Sequence, residues 1–191
     1  GFWFADGHMR KEKSYRIVFD SMDMQILEEI RDAFQSSNLI RPRKTDASHR
    51  LTVHSRHTYE RLMRLGGMPS KSLSIKFPYV PKEYVPDFVR GYFDGDGSVF
   101  YVNYIRTKDK KLATELRSNF TSGSPIFLKT LMELLNRELG LRNKVLSEYN
   151  NCGHSIKLGY GEKDTKKLLK FMYYDSFPIG LQRKAKFVYN V

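Results

Sequence analysis

The stretch VRGYFDGDGSVF, residues 89–100, decides the fold, because it sets two carboxylates, Asp94 and Asp96, among three glycines directly after an apolar run. A calcium loop with oxygen ligands at alternate positions needs a glycine at its sixth place and a glutamate at its twelfth. Counted from Asp94, those places hold Val99 and Ile105, which excludes calcium of that kind. Val85, Phe88, Val89, Tyr92 and Phe93 instead have the spacing of one helix face, and Gly95 or Gly97 can end that helix in a left-handed conformation. Taken alone, the aspartates are then turn residues.

The rest of the chain asks more of them. Its 191 residues, 40% apolar and 14% aromatic, can build one large domain or two small ones around a real core. Thirty-three Lys and Arg against 21 Asp and Glu give a net charge of +12, which points to a polyanion such as nucleic acid. Neither a long apolar span nor a basic amphipathic helix is present to suit a membrane, and Gly1 to Ala5 is too short an apolar run for a signal peptide. A soluble intracellular protein is expected, in the cytoplasm, nucleoid or an organelle. The single cysteine, Cys152, excludes an internal disulfide or a cysteine zinc site.

The quoted stretch has an earlier counterpart. Aligning Asp6 with Asp96 sets GFWFADG against GYFDGDG, and downstream Phe19, Ile26, Leu27 and Ile30 fall on Phe120, Phe127, Leu128 and Leu131. Residues 49–65 parallel residues 154–172 in the same way. The chain is a tandem duplication, with 11 extra residues in the first hairpin of the second copy. Each copy predicts the order αββαββα, an α+β class. Tyr15, Ile17 and Phe19, and Leu116 and Phe120, mark first-pair strands by alternation. Helices are predicted near 22–36, 57–65, 125–139 and 163–174, with Ser21 and Ser122 where caps are wanted. The second strand pairs are predicted over 39–55 and 142–160. Residues 1–76 and 87–191 form the two halves, and the proline-bearing segment 77–86 reads as an ordered connector. A helix starting at Gly1 has barely one turn before Asp6, so residues ahead of Gly1 are expected.

An antiparallel sheet with helices on one face leaves the other open. The open faces are expected to carry Arg16, Arg41, Arg43, Arg50, Thr52 and His54 in the first half. In the second they carry Asn103, Arg117, Asn119, Arg142, Lys144 and Lys157, with Arg10, Lys11 and Arg106 as further DNA contacts. Arg suits guanine, Asn suits adenine, and a β-ribbon fits the major groove. If the helices ending at Asp6 and Asp96 pack side by side, Gly1 and Ala5, and Gly91 and Gly95, let the backbones approach and deliver both aspartates to one place. Two carboxylates beside phosphates need divalent cations, and hard oxygen donors without histidine or thiolate suit Mg2+ or Mn2+. The implied chemistry is phosphodiester hydrolysis.

GFWFADG and VRGYFDGDG resemble the two signature motifs of the LAGLIDADG homing endonucleases in their single-chain form. PSKSLSIKFP and LQRKAKF also resemble the segments that family has in these places, so the similarity spans the chain. The first motif is cut short, beginning at its third position. The resemblance implies a pseudo-two-fold saddle of two four-stranded sheets over a long, asymmetric double-stranded DNA site. It further implies a monomer that cuts each strand with one aspartate and leaves short 3′ overhangs. The metal-binding carboxylates fall on Asp6 and Asp96, with Ala5 and Gly95 beside them; Ca2+ is expected to replace Mg2+ without supporting cleavage. Asp94, where the first copy has Phe4, is assigned a structural role. Lys71 and Lys184 match the lysine expected at the edge of each active site. Maturases and DNA-binding regulators share this fold and are the alternative. A histidine-metal nuclease built on His49, His54 and His57 lacks companion ligands, and GYGEK at 159–163 lacks the rest of a phosphate loop.

Overall fold

The computed structural model describes residues 1–11, 14–69, 71–148 and 155–190. The first copy runs α1 (Phe2–Asp6), β1 (Gly7–Lys11), β2 (Tyr15–Ser21), α2 (Met24–Ala33), β3 (Arg41–Pro42), β4 (His49–His54) and α3 (Arg56–Arg64). The second runs α4 (Val85–Asp96), β5 (Gly97–Ile105), β6 (Leu112–Ser122), α5 (Pro125–Leu139), β7 (Ser147–Glu148), β8 (Ile156–Tyr160) and α6 (Glu162–Met172). A short α7 (Gln182–Ala185) follows, which sequence periodicity did not announce. The strands form two antiparallel sheets of identical topology, β1-β2-β4-β3 and β5-β6-β8-β7. The duplication and the α+β class are therefore as expected. Among the described residues no helix is long and apolar enough to cross a membrane.

Alternation explains how each sheet acquires a helical side. Ile17 and Phe19 of β2, and Leu51 and Val53 of β4, are buried against Ile26, Leu27 and Ile30 of α2. Leu116 and Phe120 of β6 are buried in the same core as Phe127, Leu128, Leu131 and Leu135 of α5 and Leu168 and Leu169 of α6. Each of these side chains contributes roughly 1.5–3 kcal/mol by leaving water. The extra residues of the second copy lengthen its first hairpin, to strands of 9 and 11 residues where the first copy has 5 and 7. The connector is ordered by Phe77, whose ring lies 5.0 Å from Phe88 and 5.2 Å from Phe127. It yields to α4 already at Val85, with Pro86 in the first turn, where a missing N–H costs nothing.

Four expectations need correcting. Gly95 lies within α4, and Gly97 ends that helix in an extended rather than a left-handed conformation, because the chain runs straight on into β5. The helix caps are Asp23 and Ser124, because β2 and β6 continue to Ser21 and Ser122 and two residues are needed to turn. Ser21 and Ser122 accept the N–H of Asp23 and Ser124 at 3.1 Å, while the Ser124 hydroxyl accepts from Phe127. Next, β7 begins at Ser147, so Arg142 and Lys144 precede the strand. The Lys144 ammonium turns to Asp164 of α6, 3.6 Å away, in the helical layer. Finally, Asn103 pairs with Thr114, whose hydroxyl donates to it at 2.8 Å. Period-two alternation puts that pair on the side of Leu116, opposite Arg117 and Asn119. Phe100 and Tyr104 occupy the open face of β5 instead.

Candidate active site and nucleic-acid interface

The two motif helices, α1 and α4, pack against each other between the sheets. Their closeness is a property of glycine: a Cβ on Gly91 would lie 2.6 Å from the Phe2 amide nitrogen, and one on Gly95 would lie 2.4 Å from the Ala5 Cβ. Both are well inside van der Waals contact. Asp6 is the last residue of α1 and Asp96 the last of α4, and the next residues start β1 and β5. The seam thus delivers one carboxylate from each copy to the point where helix becomes sheet.

The carboxylates feel each other. Burial in the seam, and then the charge of Asp6, push Asp96 up to about 7, against the opposing pull of Lys71 and Lys184. Asp6 presents an edge to solvent, yet the protein around it also raises its carboxyl, with the same two lysines opposing. Each lysine caps the end of the motif helix in its own half, where carbonyls lack intrahelical partners. Lys71 is 6% exposed and donates at 2.8 Å to the carbonyls of Phe4 and Ala5. Lys184 is 3% exposed and donates to those of Phe93, Asp94 and Gly97 at 2.5, 2.9 and 2.6 Å. Burial lowers both ammonium pKa values, Lys184 to about 8.

Because the helices cross, each centre draws on both copies. One cavity is lined by Asp96 together with Phe4, Ala5 and Lys71, and the other by Asp6 together with Asp94, Gly95 and Arg183. Asp96 heads the attractive partners of Lys71, with Asp6 after it, whereas Lys184 is drawn first by Asp94 of its own half and then by Asp6. Among the described residues no three His, Cys, Asp or Glu side chains cluster into a ready metal cage. Two carboxylates with backbone oxygens nearby are instead the donor set that suits Mg2+, which keeps waters and takes the rest of its shell from phosphate. The Ala5 carbonyl, one of the expected donors, already accepts a hydrogen bond from Lys71.

Several partners here carry no sequence motif. Arg90 and Asp94, four apart on α4, are 2% and 3% exposed. Arg90 donates to the carbonyls of Ile179 and Met172 at 2.7 and 2.9 Å, and Asp94 accepts from the Tyr173 hydroxyl at 2.5 Å and the Leu181 N–H at 3.1 Å. Ionisable residues at helical spacing inside an apolar run were the only available signal. The Tyr92 hydroxyl, beside the Asp96 centre, donates to the Thr121 carbonyl at 2.8 Å.

On the open face of the first sheet, register pairs Arg10 with Arg16, Arg16 with His54, Val18 with Thr52 and Asp20 with Arg50. Arg16, Arg41, Arg50, Thr52 and His54 line one hollow there. Arg43 lies 2.9 Å from Asp46 and 3.8 Å from Asp20. The side chain of Lys11 is outside the described residues. On the second sheet, Arg117, Asn119 and Lys157 share a hollow with Phe100, and Arg117 forks onto Glu115 at 2.8 and 3.1 Å. Arg142 is exposed ahead of β7, and Arg106 pairs with Asp109 at 2.7 Å in the long hairpin. Of the expected contacts, then, Asn103 and Lys144 turn elsewhere, Arg142 lies ahead of its strand and Arg106 beyond the end of β5, while Arg16, Arg41, Arg50, Thr52, His54, Arg117, Asn119 and Lys157 line the hollows of the open faces.

No protein-family model and no curated protein matches the sequence. Solved structures do match the fold. The I-SmaMI meganuclease bound to uncleaveable DNA superposes with a TM-score of 0.66 at 13% identity, over 97% of this chain and 85% of that one. I-AabMI, a LAGLIDADG meganuclease bound to uncleaved DNA, gives 0.65 at 14% identity, over 99% and 86%. The I-LtrWI LAGLIDADG homing endonuclease bound to target DNA gives 0.64 at 14% identity, over 97% and 84%. The chain has the single-chain LAGLIDADG homing endonuclease fold.

Proposed function

We propose that this protein is a site-specific, divalent-metal-dependent endonuclease that hydrolyses both strands of a long double-stranded DNA site. The observation that carries the reading is the delivery of Asp6 and Asp96 to one seam at the edge of two open, basic sheet faces. An acidic cleft would repel a duplex and a neutral one would not attract it; here Arg, Lys, Thr and Asn side chains line the open faces, able to neutralise phosphates and meet base edges. The fold's DNA-bound relatives add support.

Asp6 and Asp96, with backbone oxygens of Ala5 and Gly95, would hold Mg2+ or Mn2+, which when bound lowers the pKa of a water and stabilises charge at phosphorus. The seam keeps the two carboxylates side by side and their neighbourhood partly dry. Lys71 and Lys184 place positive charge next to them, where it can offset a developing pentavalent phosphate. The composite arrangement gives each strand its own aspartate, and displaced cuts would leave short 3′ overhangs. Ca2+ would occupy the same oxygens without supporting cleavage.

The test is incubation with a randomised DNA library in Mg2+, Mn2+ or Ca2+, followed by sequencing of the ends. Staggered double-strand breaks at one family of sites in Mg2+ or Mn2+ are expected. Retention of a specific site with no ends in any metal would identify a binding protein of maturase or regulator type.

A further inference from the structure

The two copies anchor their lysines differently. Both ammoniums lie against the equivalent ring of their motif helix, Lys71 5.4 Å from Trp3 and Lys184 4.9 Å from Phe93, but Lys71 reaches only two carbonyls of α1, and Phe4 stands where the second copy has Asp94. Lys184 instead belongs to a closed circuit. The Asp94 carboxylate receives the Leu181 N–H, and the Leu181 carbonyl receives the N–H of Lys184 at 2.9 Å as α7 begins. The Lys184 ammonium then returns to the Asp94 carbonyl. The Tyr173 hydroxyl closes on the other Asp94 oxygen, and Arg90, one turn back, grips the main chain at Met172 and Ile179. These polar contacts add direction to the apolar packing of Tyr173 and Leu181 in the core they share with α4.

We infer that Asp94 is a positioning residue for Lys184, holding its ammonium at the end of α4 beside the paired aspartates through Leu181, by a device the first copy lacks, so that loosening it slows the cutting of one DNA strand more than the other. The strand effect rests on the nuclease reading above; the anchoring does not. Asp94 touches no reacting atom in this scheme. Its carboxylate sets the start of α7, and with it the direction from which the ammonium approaches.

Tyr173→Phe removes one hydrogen bond to Asp94 while keeping the ring, and Asp94→Asn removes the charge while nearly keeping the shape. Brief acetylation with acetic anhydride, read by mass spectrometry, reports the exposure of each lysine, with Lys71 as internal control for general loosening. Expected in Tyr173→Phe is about a fivefold rise in Lys184 labelling, the loosening that one lost hydrogen bond implies, with Lys71 unchanged. Asp94→Asn should show at least as large a rise. On supercoiled target DNA both variants should accumulate nicked circles, with the slow strand the same in each, where wild type gives linear product. Unchanged Lys184 labelling, equal rises at both lysines, or equal slowing of both strands would overturn the inference. A wild-type protein that cuts neither strand would refute the nuclease reading instead, and the labelling would still decide the anchoring.

Discussion

Asp20 accepts both the Nε and the Nη2 of Arg50, at 2.7 and 2.8 Å, on the face of the first sheet that would meet DNA. An acid on a surface meant for phosphate is costly unless it does something else, and here it fixes the fork of an arginine suited to a guanine edge. Removing it should therefore strengthen general binding and weaken discrimination. Asp20→Asn is expected to raise affinity for random DNA by roughly fivefold, from about 1 kcal/mol of relieved repulsion, while narrowing the gap to the preferred site. Titrations of both DNAs at two salt concentrations measure this. A uniform loss of affinity would contradict it.

Asp96→Asn should separate binding from chemistry. On the proposed mechanism the change removes a metal-holding carboxylate but no phosphate contact, so DNA affinity in Ca2+ should stay within about threefold of wild type. Cleavage should fall by at least about a hundredfold, since such a ligand is asked to supply several kcal/mol at the transition state. Gel shift and plasmid cleavage on the same preparation check both halves.

The same carboxylate should make the metal-free protein sensitive to pH. With Asp96 pushed from 3.8 to about 7 in the fold, the native state binds more protons than the unfolded chain between those values. Its stability must then fall as pH rises through that window. Asp96→Asn removes this penalty, so in EDTA the variant should melt higher than wild type at pH 8, by about 2 °C or more, and the difference should vanish below pH about 4. Melting curves across that range test the sign, and a variant less stable at pH 8 would refute it.

Close approach in the seam predicts a steric effect far from any charge. Gly91→Val sets branched carbon where a single Cβ already lies 2.6 Å from a backbone nitrogen, so the helices must separate. A loss of at least about 1–3 kcal/mol in urea unfolding is expected, together with loss of cutting. Wild-type stability in the variant would mean that α1 and α4 are not pressed together in solution.

The two aspartates, the duplication and the first-pair strands were legible because local pattern carries them: glycines at the spacing of a helix crossing, and apolar residues at period two. Other features lack such a signal. Asn103 was assigned to the wrong face because Phe100, Tyr101, Tyr104 and Ile105 are all exposed, so β5 shows no contrast between its sides. Lys144 was misplaced because residues 142–146 are not strand, and alternation means nothing there. Asp94 could be called structural, but its partners, Tyr173 and a backbone amide at Leu181, lie 79 and 87 residues away. Only tertiary packing brings them together. Lys71 and Lys184 came from resemblance alone, since one buried lysine in so basic a chain has no mark of its own.

Anomalous diffraction from Mn2+ in crystals of the protein bound to its selected DNA site tests the central claim most directly. Manganese peaks are expected in the seam, touching the Asp6 and Asp96 carboxylates and the two scissile phosphates. Manganese bound elsewhere, or none at either aspartate while the duplex lies on the sheets, would contradict the paired-carboxylate mechanism.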